Sequence, residues 1–266
     1  MTRRGLWSGA LALLLLAPEA SLAQPVREAA AAQAFAPPIA QPMTYRVTTR
    51  RVSRSGTLIS FALVYAVQWQ GAGRGYRLDT VLRRIESDAR PELVGKLTAL
   101  FQPLVGETIS YLVDAGGRSI ALADPAQLWA RVGQRTQEIA AAATTPEAQQ
   151  IAALLAALPE AERDKLLTAD IRALVAPANA SIPAVAGDDV DIRREGGHRT
   201  VAKTERAELA SGALDIDTLW TVDTATGLVL TERRQSWMRE SGTDARTLVE
   251  ERIRALTPGD PGAGPG

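Results

Sequence analysis

The chain has 266 residues, with 30 basic and 30 acidic side chains, one histidine and no cysteine. The missing cysteine rules out disulfides, thiolate metal sites, cysteine nucleophiles and the lipid anchor of a bacterial lipoprotein, which attaches to a cysteine just after the leader. The balanced charge argues against nucleic acid, which needs a basic stripe to neutralise its phosphates.

The first residues carry the parts of a secretory signal: Arg3 and Arg4, an apolar run from Leu6 to Ala17, and small residues at Ser21-Leu22-Ala23 ahead of Gln24. The run is shorter than the about 20 residues that cross a bilayer, and Pro18 and Glu19 interrupt it. Residues 1–23 are therefore expected to be cleaved on export to a bacterial periplasm, leaving a chain that does not span the membrane. Residues 24–42, rich in Ala, Pro and Gln, read as a flexible lead-in, and 257–266, rich in Gly and Pro, as a disordered tail. A single domain is expected over 43–256.

Its dominant signal is period two, the mark of half-buried strands. From Gly56 to Gln70, Ile59, Phe61, Leu63, Tyr65, Val67 and Trp69 fall on one face, against Ser60, Gln68 and Gln70 on the other. Turn residues on both sides predict antiparallel neighbours over Met43–Ser53 and Tyr76–Ile85. A short helix follows, with Pro91 in its first turn and Leu93, Leu97, Leu100, Phe101 and Leu104 on one side. Thr108–Val113 and Arg118–Ala123 make a hairpin across Gly116 and Gly117.

Residues 124–175 read as a helical insertion of three short helices. Asp124-Pro125, Thr145-Pro146 and Leu158-Pro159 are helix starts. Their apolar members, from Leu128, Trp129 and Val132 through Leu154 and Leu155 to Leu167, Ile171 and Leu174, need a surface to cover. About five more strands are expected between Asp188 and Leu256. In one of them Leu214, Ile216, Trp220 and Val222 alternate with Asp215, Asp217, Thr221 and Asp223. In the last, Arg246–Leu256, Thr247, Val249 and Ile253 favour a strand, while Glu250, Glu251 and Arg252 suit a helix equally; strand is preferred.

Chemistry-bearing motifs are scarce. His198 sits beside two glycines at a hairpin tip, a poor place for an acid–base group, and no nucleophile elbow, zinc-binding helix or phosphate loop occurs. Asp188, Asp189 and Asp191 lack the spacing of a calcium loop, and Asp215, Asp217 and Asp223 match the outer face of an antiparallel sheet. No metal, cofactor or enzymatic activity is expected. Trp69, Trp129, Trp220 and Trp237 line an apolar cavity on one reading and fill a solid core on the other.

The long strand ending Tyr65-Ala66-Val67-Gln68-Trp69, and the hairpin Trp220-Thr221-Val222-Asp223-Thr224-Ala225-Thr226-Gly227-Leu228, resemble elements of the periplasmic outer-membrane lipoprotein carriers and the related mycobacterial lipid-binding lipoproteins. The resemblance lies in the order of elements over residues 43–256. It implies an α+β fold: a curved antiparallel half-barrel of about ten strands, with a helical block over its concave face and room there for acyl chains. The ligand-binding residues expected on that view are Phe61, Leu63, Tyr65, Trp69 and Trp220 from the sheet, and Leu128, Trp129, Leu154 and Leu155 from the helices. Two other readings stay open: a solidly packed envelope scaffold that recruits a protein partner, and a hydrolase working with two carboxylates.

Overall fold

In the computed structural model, the described residues are 35–52, 56–88, 95, 98–142, 157–175, 182–209, 212–240 and 245–259. Five strands come first: β1 (Pro42–Val52), β2 (Leu58–Ala72), β3 (Gly75–Ser87), β4 (Thr108–Val113) and β5 (Ile120–Leu122). Helices α1 (Pro125–Ala142) and α2 (Glu160–Thr168) follow, then a 3-10 turn at Ile171–Leu174. The chain closes with β6 (Val190–Glu195), β7 (His198–Leu209), β8 (Gly212–Asp223), β9 (Val229–Glu240) and β10 (Arg246–Pro258).

All ten strands form one sheet in the order β5-β4-β3-β2-β1-β10-β9-β8-β7-β6, each pair antiparallel. The sheet is not closed into a barrel, and the helices lie on one face, as the expected fold class requires. The first and last long strands meet at its centre, so β1 and β10 join the two hairpin arrays.

Alternation in β2 works as the sequence predicts. Leu63, Val67 and Trp69 are buried under the helices with Tyr45 and Val47 of β1, Leu78 of β3 and Tyr111 of β4. Burial of such side chains stabilises by roughly 1.5–3 kcal/mol each. The opposite face is not simply wet: Val64 is also buried. It is flanked by Arg46 and Arg84 in the register, whose guanidinium groups both bind Glu86 and whose aliphatic stems can cover the valine.

The helix start at Asp124 is capped as expected, that at Pro159 has no side-chain cap, and that at Thr145-Pro146 lies outside the described residues. The Asp124 carboxylate accepts from the Gln127 N–H at 3.1 Å, which satisfies one of the orphan donors of α1. From α1, Leu128 and Val132 face the core; from the last helical segment, Leu167, Ile171 and Leu174 do so. Of the first predicted helix, Phe101 and Leu104 pack against the core, with a 3-10 turn at Gln102–Leu104, whereas Leu93 and Leu97 lie outside the described residues. So does most of the middle helix, with Leu154 and Leu155.

Two expectations need correcting. The turn after β2 is placed at Gly71-Ala72-Gly73 in the sequence, but β2 runs on through Ala72 and Gly73, at φ +57°, bends the chain. The end of the lead-in is anchored: Phe35 is buried, stacks edge-on against Trp69 and Tyr76, and leaves Ala36 donating to the Thr226 carbonyl. Gly117 makes the seat for Phe35, since a Cβ there would come within 2.6 Å of the ring. Residues 246–256 do form a strand, but Arg252 and Arg254 face the helices while Glu251 and Ile253 face away.

Candidate functional site

An apolar crevice lies among the helices. Leu100 and Leu104, Trp129 and Val132 of α1, and Leu158 and Leu167 around α2 line it, with Arg163 the one charged contributor among the described residues. Trp129 is fixed on two sides. Its indole N–H donates to Asp164 at 2.8 Å, and the Arg163 guanidinium sits 5.1 Å over its ring, a cation–π geometry. The free space within is about 10 Å³, room for about one water.

Beneath the end of the helical segment the sheet supplies a floor of phenols. Tyr111 donates to the Leu167 carbonyl and Tyr45 to the Asp170 carbonyl, each at 2.9 Å, so two side chains of the sheet hold the end of the helical segment. Burial raises the pKa of Tyr45, Tyr65 and Tyr111 above the ordinary phenol value, and the nearby Asp170 charge adds to it. The floor is dry, and each of these groups stays protonated.

The floor does not continue across the sheet. One cross-strand row on the helix side reads Leu63, Val47, Arg254, Glu232, Trp220, Val201 and Ile192. Arg254 binds Glu232 at 2.7 Å and Asp170 at 3.2 Å, and both members of the Arg254–Glu232 pair are nearly buried. Burial opposes the charge on Arg254, yet the Glu232 and Asp170 carboxylates hold its pKa above the ordinary value. This ion pair divides two apolar clusters. The larger holds Leu63, Trp69 and the helices; the smaller holds Trp220 with Ile182, Val201, Val222 and Val229.

The residues expected from the sequence therefore separate. Leu63, Tyr65, Trp69, Leu128 and Trp129 gather in the larger cluster, but only Trp129 also lines the crevice. Phe61 shares their face and pairs with Thr49, beyond the cluster. Trp220 is cut off by Arg254 and Glu232. Sequence reasoning placed Leu100, Leu104, Leu158 and Leu167 on apolar helix faces without bringing them together, because that depends on how the helices cross.

Trp237 takes no part in this core. It lies on the opposite face, with Arg246 stacked 5.0 Å from its ring. Arg246 also binds Asp217, and Asp215 binds Arg206 and Arg239. Hydrogen bonds from Arg239, then Arg206, hold the Asp215 carboxyl down to about 2. This face has a second buried carboxylate, Glu251, bound by Arg50 and Arg233. Asp188, Asp189, Asp191 and His198 are exposed. Among the described residues no helix is long and apolar enough to cross a membrane.

No family model matches the chain, and no curated protein matches it. Among solved structures, a lipovitellin structure concerned with lipid–protein interactions is similar over 85% of this chain, at 7% identity and a TM-score of 0.33, with 26% of the lipovitellin chain spanned. A domain from Vibrio parahaemolyticus, assigned as an outer membrane lipoprotein-sorting protein, is similar over 85% of this chain and 87% of its own, at 7% identity and a TM-score of 0.20. At such scores the functional reading rests on this chain's own residues.

Proposed function

We propose that this is an exported protein of the bacterial periplasm that binds an apolar ligand, an acyl chain of a lipid or lipoprotein, in the crevice among its helices. The observation that carries the reading is the crevice: Leu100, Leu104, Trp129, Val132, Leu158 and Leu167 meet there with one charged neighbour. Apolar walls with few polar groups are what small-molecule sites are made of. The leader-like pattern of residues 1–23 supports the compartment.

The crevice holds about 10 Å³, whereas ligand sites run to roughly 300–1,000 Å³. Binding then requires the helices to part from the sheet, and the ligand replaces the contacts they give up. Tyr111, Tyr45 and Arg254 hold the end of that segment through one hydrogen bond or ion pair each, contacts worth about 1 kcal/mol for a neutral bond and somewhat more for a charged one. The same small volume favours a second reading, a solidly packed scaffold that recruits an envelope protein.

Tryptophan emission separates the two. Titration with a monoacyl lipid below its micelle concentration is expected to shift the emission, and Trp129→Phe to remove most of that shift. Emission that does not move, with no lipid retained on gel filtration, would favour the scaffold.

A further inference from the structure

Next to the row that carries Arg254 and Glu232 runs a second row on the same face: Phe61, Thr49, Arg252, Arg234, Thr218, Lys203 and Val190. Its centre sets Arg252 of β10 directly opposite Arg234 of β9, and like charges facing each other across a strand pair are destabilising. The surrounding carboxylates are largely committed elsewhere. Glu232 binds Arg254, Glu250 binds Arg51, and Glu205 binds Lys203. The Asp170 carboxylate stands 3.7 Å from Arg252 while bonding Arg254 at 3.2 Å. Arg234 has no carboxylate partner among the described residues and is exposed, while the Arg252 Nε is buried without an acceptor.

Asp170 links this pair to the helices that line the crevice. Leu167 lines the crevice and Asp170, which reaches Arg252, comes three residues further along a helical segment, about 5 Å of rise. We infer that Arg234 and Arg252 form the binding site for the anionic group, carboxylate or phosphate, of an amphiphile whose acyl chain occupies the crevice. An anion between the two guanidinium groups relieves their repulsion and accepts the N–H groups they leave unused, with charge-assisted bonds. Thr49 and Thr218, both nearly buried, flank the pair in the register, and Lys203 closes the row. The inference rests on the acyl-binding reading and adds to it the charge of the ligand's head.

The test compares dodecanoate with dodecanol, which share a chain and differ in charge, and adds inorganic phosphate, which has charge and no chain. Calorimetric titration of the mature protein is expected to show dodecanoate binding at least about tenfold more tightly than dodecanol, the value of a charge-assisted bond. Phosphate is expected to bind far more weakly than dodecanoate. Arg234→Gln with Arg252→Gln should erase the preference and leave dodecanol binding unchanged, while Arg234→Lys keeps most of it. If the double variant does not fold, the preference in the natural chain must still shrink with added salt. Equal binding of dodecanoate and dodecanol overturns the anion site and leaves the acyl-binding reading intact. Phosphate binding as tight as dodecanoate makes this a free-anion site and also overturns the inference. No binding of either amphiphile removes both.

Discussion

The two halves of the sheet are built from strands of similar length and alternation, yet their helix-facing sides differ. Across β1–β4 that side is apolar and covered: Met43, Tyr45, Val47, Leu63, Trp69, Leu78 and Tyr111 meet Leu128, Leu167 and Ile171. Across β10 and β9 it carries Arg254, Glu232, Arg252 and Arg234, and only beyond them does Trp220 start a smaller cluster. One half is held by burial. The other depends on ion pairs on both faces of the sheet. The lesson is that period two assigns a residue to a face, while the neighbouring elements decide whether that face is a core.

Substitutions that strike the first half should cost most. Trp69→Ala removes a fully buried ring and is expected to destabilise by about 3–5 kcal/mol in urea unfolding. Trp69→Phe should cost much less, because the indole N–H has no acceptor. Trp220→Ala, in the smaller cluster, should fall below Trp69→Ala; equal losses would break the comparison.

At the boundary, Arg254→Met leaves Glu232 without its partner in a nearly buried place and should cost about 3 kcal/mol. Adding Glu232→Leu should recover a large share, since replacing both partners by apolar groups is often close to neutral. A double variant worse than the single would mean that the pair organises the sheet centre rather than merely filling it. At the edge of the first half, Gly117→Ala should cost about 1–3 kcal/mol. The glycine has φ +60° and its Cβ would strike Phe35.

Tyr111→Phe is expected to cost about 1 kcal/mol and to quicken hydrogen exchange around Leu167, whose carbonyl loses its donor. Asp215→Asn removes the charge that Arg206 and Arg239 bind, and its effect is read as a dependence on pH. Asp215 and Glu86 are both held down to about 2, from ordinary values of 3.8 and 4.5. The unfolded chain therefore takes up these protons at higher pH than the folded one. Their stabilisation is complete above about pH 5 and is lost as pH falls towards 2. The decline of the melting temperature over that window should be shallower in the Asp215→Asn variant.

Much of the fold was legible in the sequence. The ten strands, the interruption by helices and the cap at Asp124 follow from short-range signals in period, turn and capping residues. Three features were not. Phe35 stands in an Ala- and Pro-rich stretch without periodicity, and its seat is made by Gly117 and Trp69. Arg254 looks like a solvated charge until Glu232 and Asp170 reach it, from 22 and 84 residues away. Trp237, an aromatic residue in a strand, is expected in the core but turns to the other face, where Arg246 covers it. For Phe35 and Arg254 the deciding partner is distant in sequence, and local pattern carries no record of it; for Trp237 the partner is near, and the register of the β9–β10 hairpin decides the face. Of the expected site, Trp129 reaches the crevice, whereas Trp220 stands across a charged divide that no alternation could announce.

On the proposed reading, the crevice among the helices accepts an acyl chain. Native mass spectrometry of the protein gently purified from the periplasm tests it most directly. A population heavier than the bare chain by the mass of an amphiphile, released by mild activation and lost in Trp129→Ala, is the expected result. A single bare-chain mass, unchanged after incubation with lipid extract, would contradict the claim and favour the scaffold.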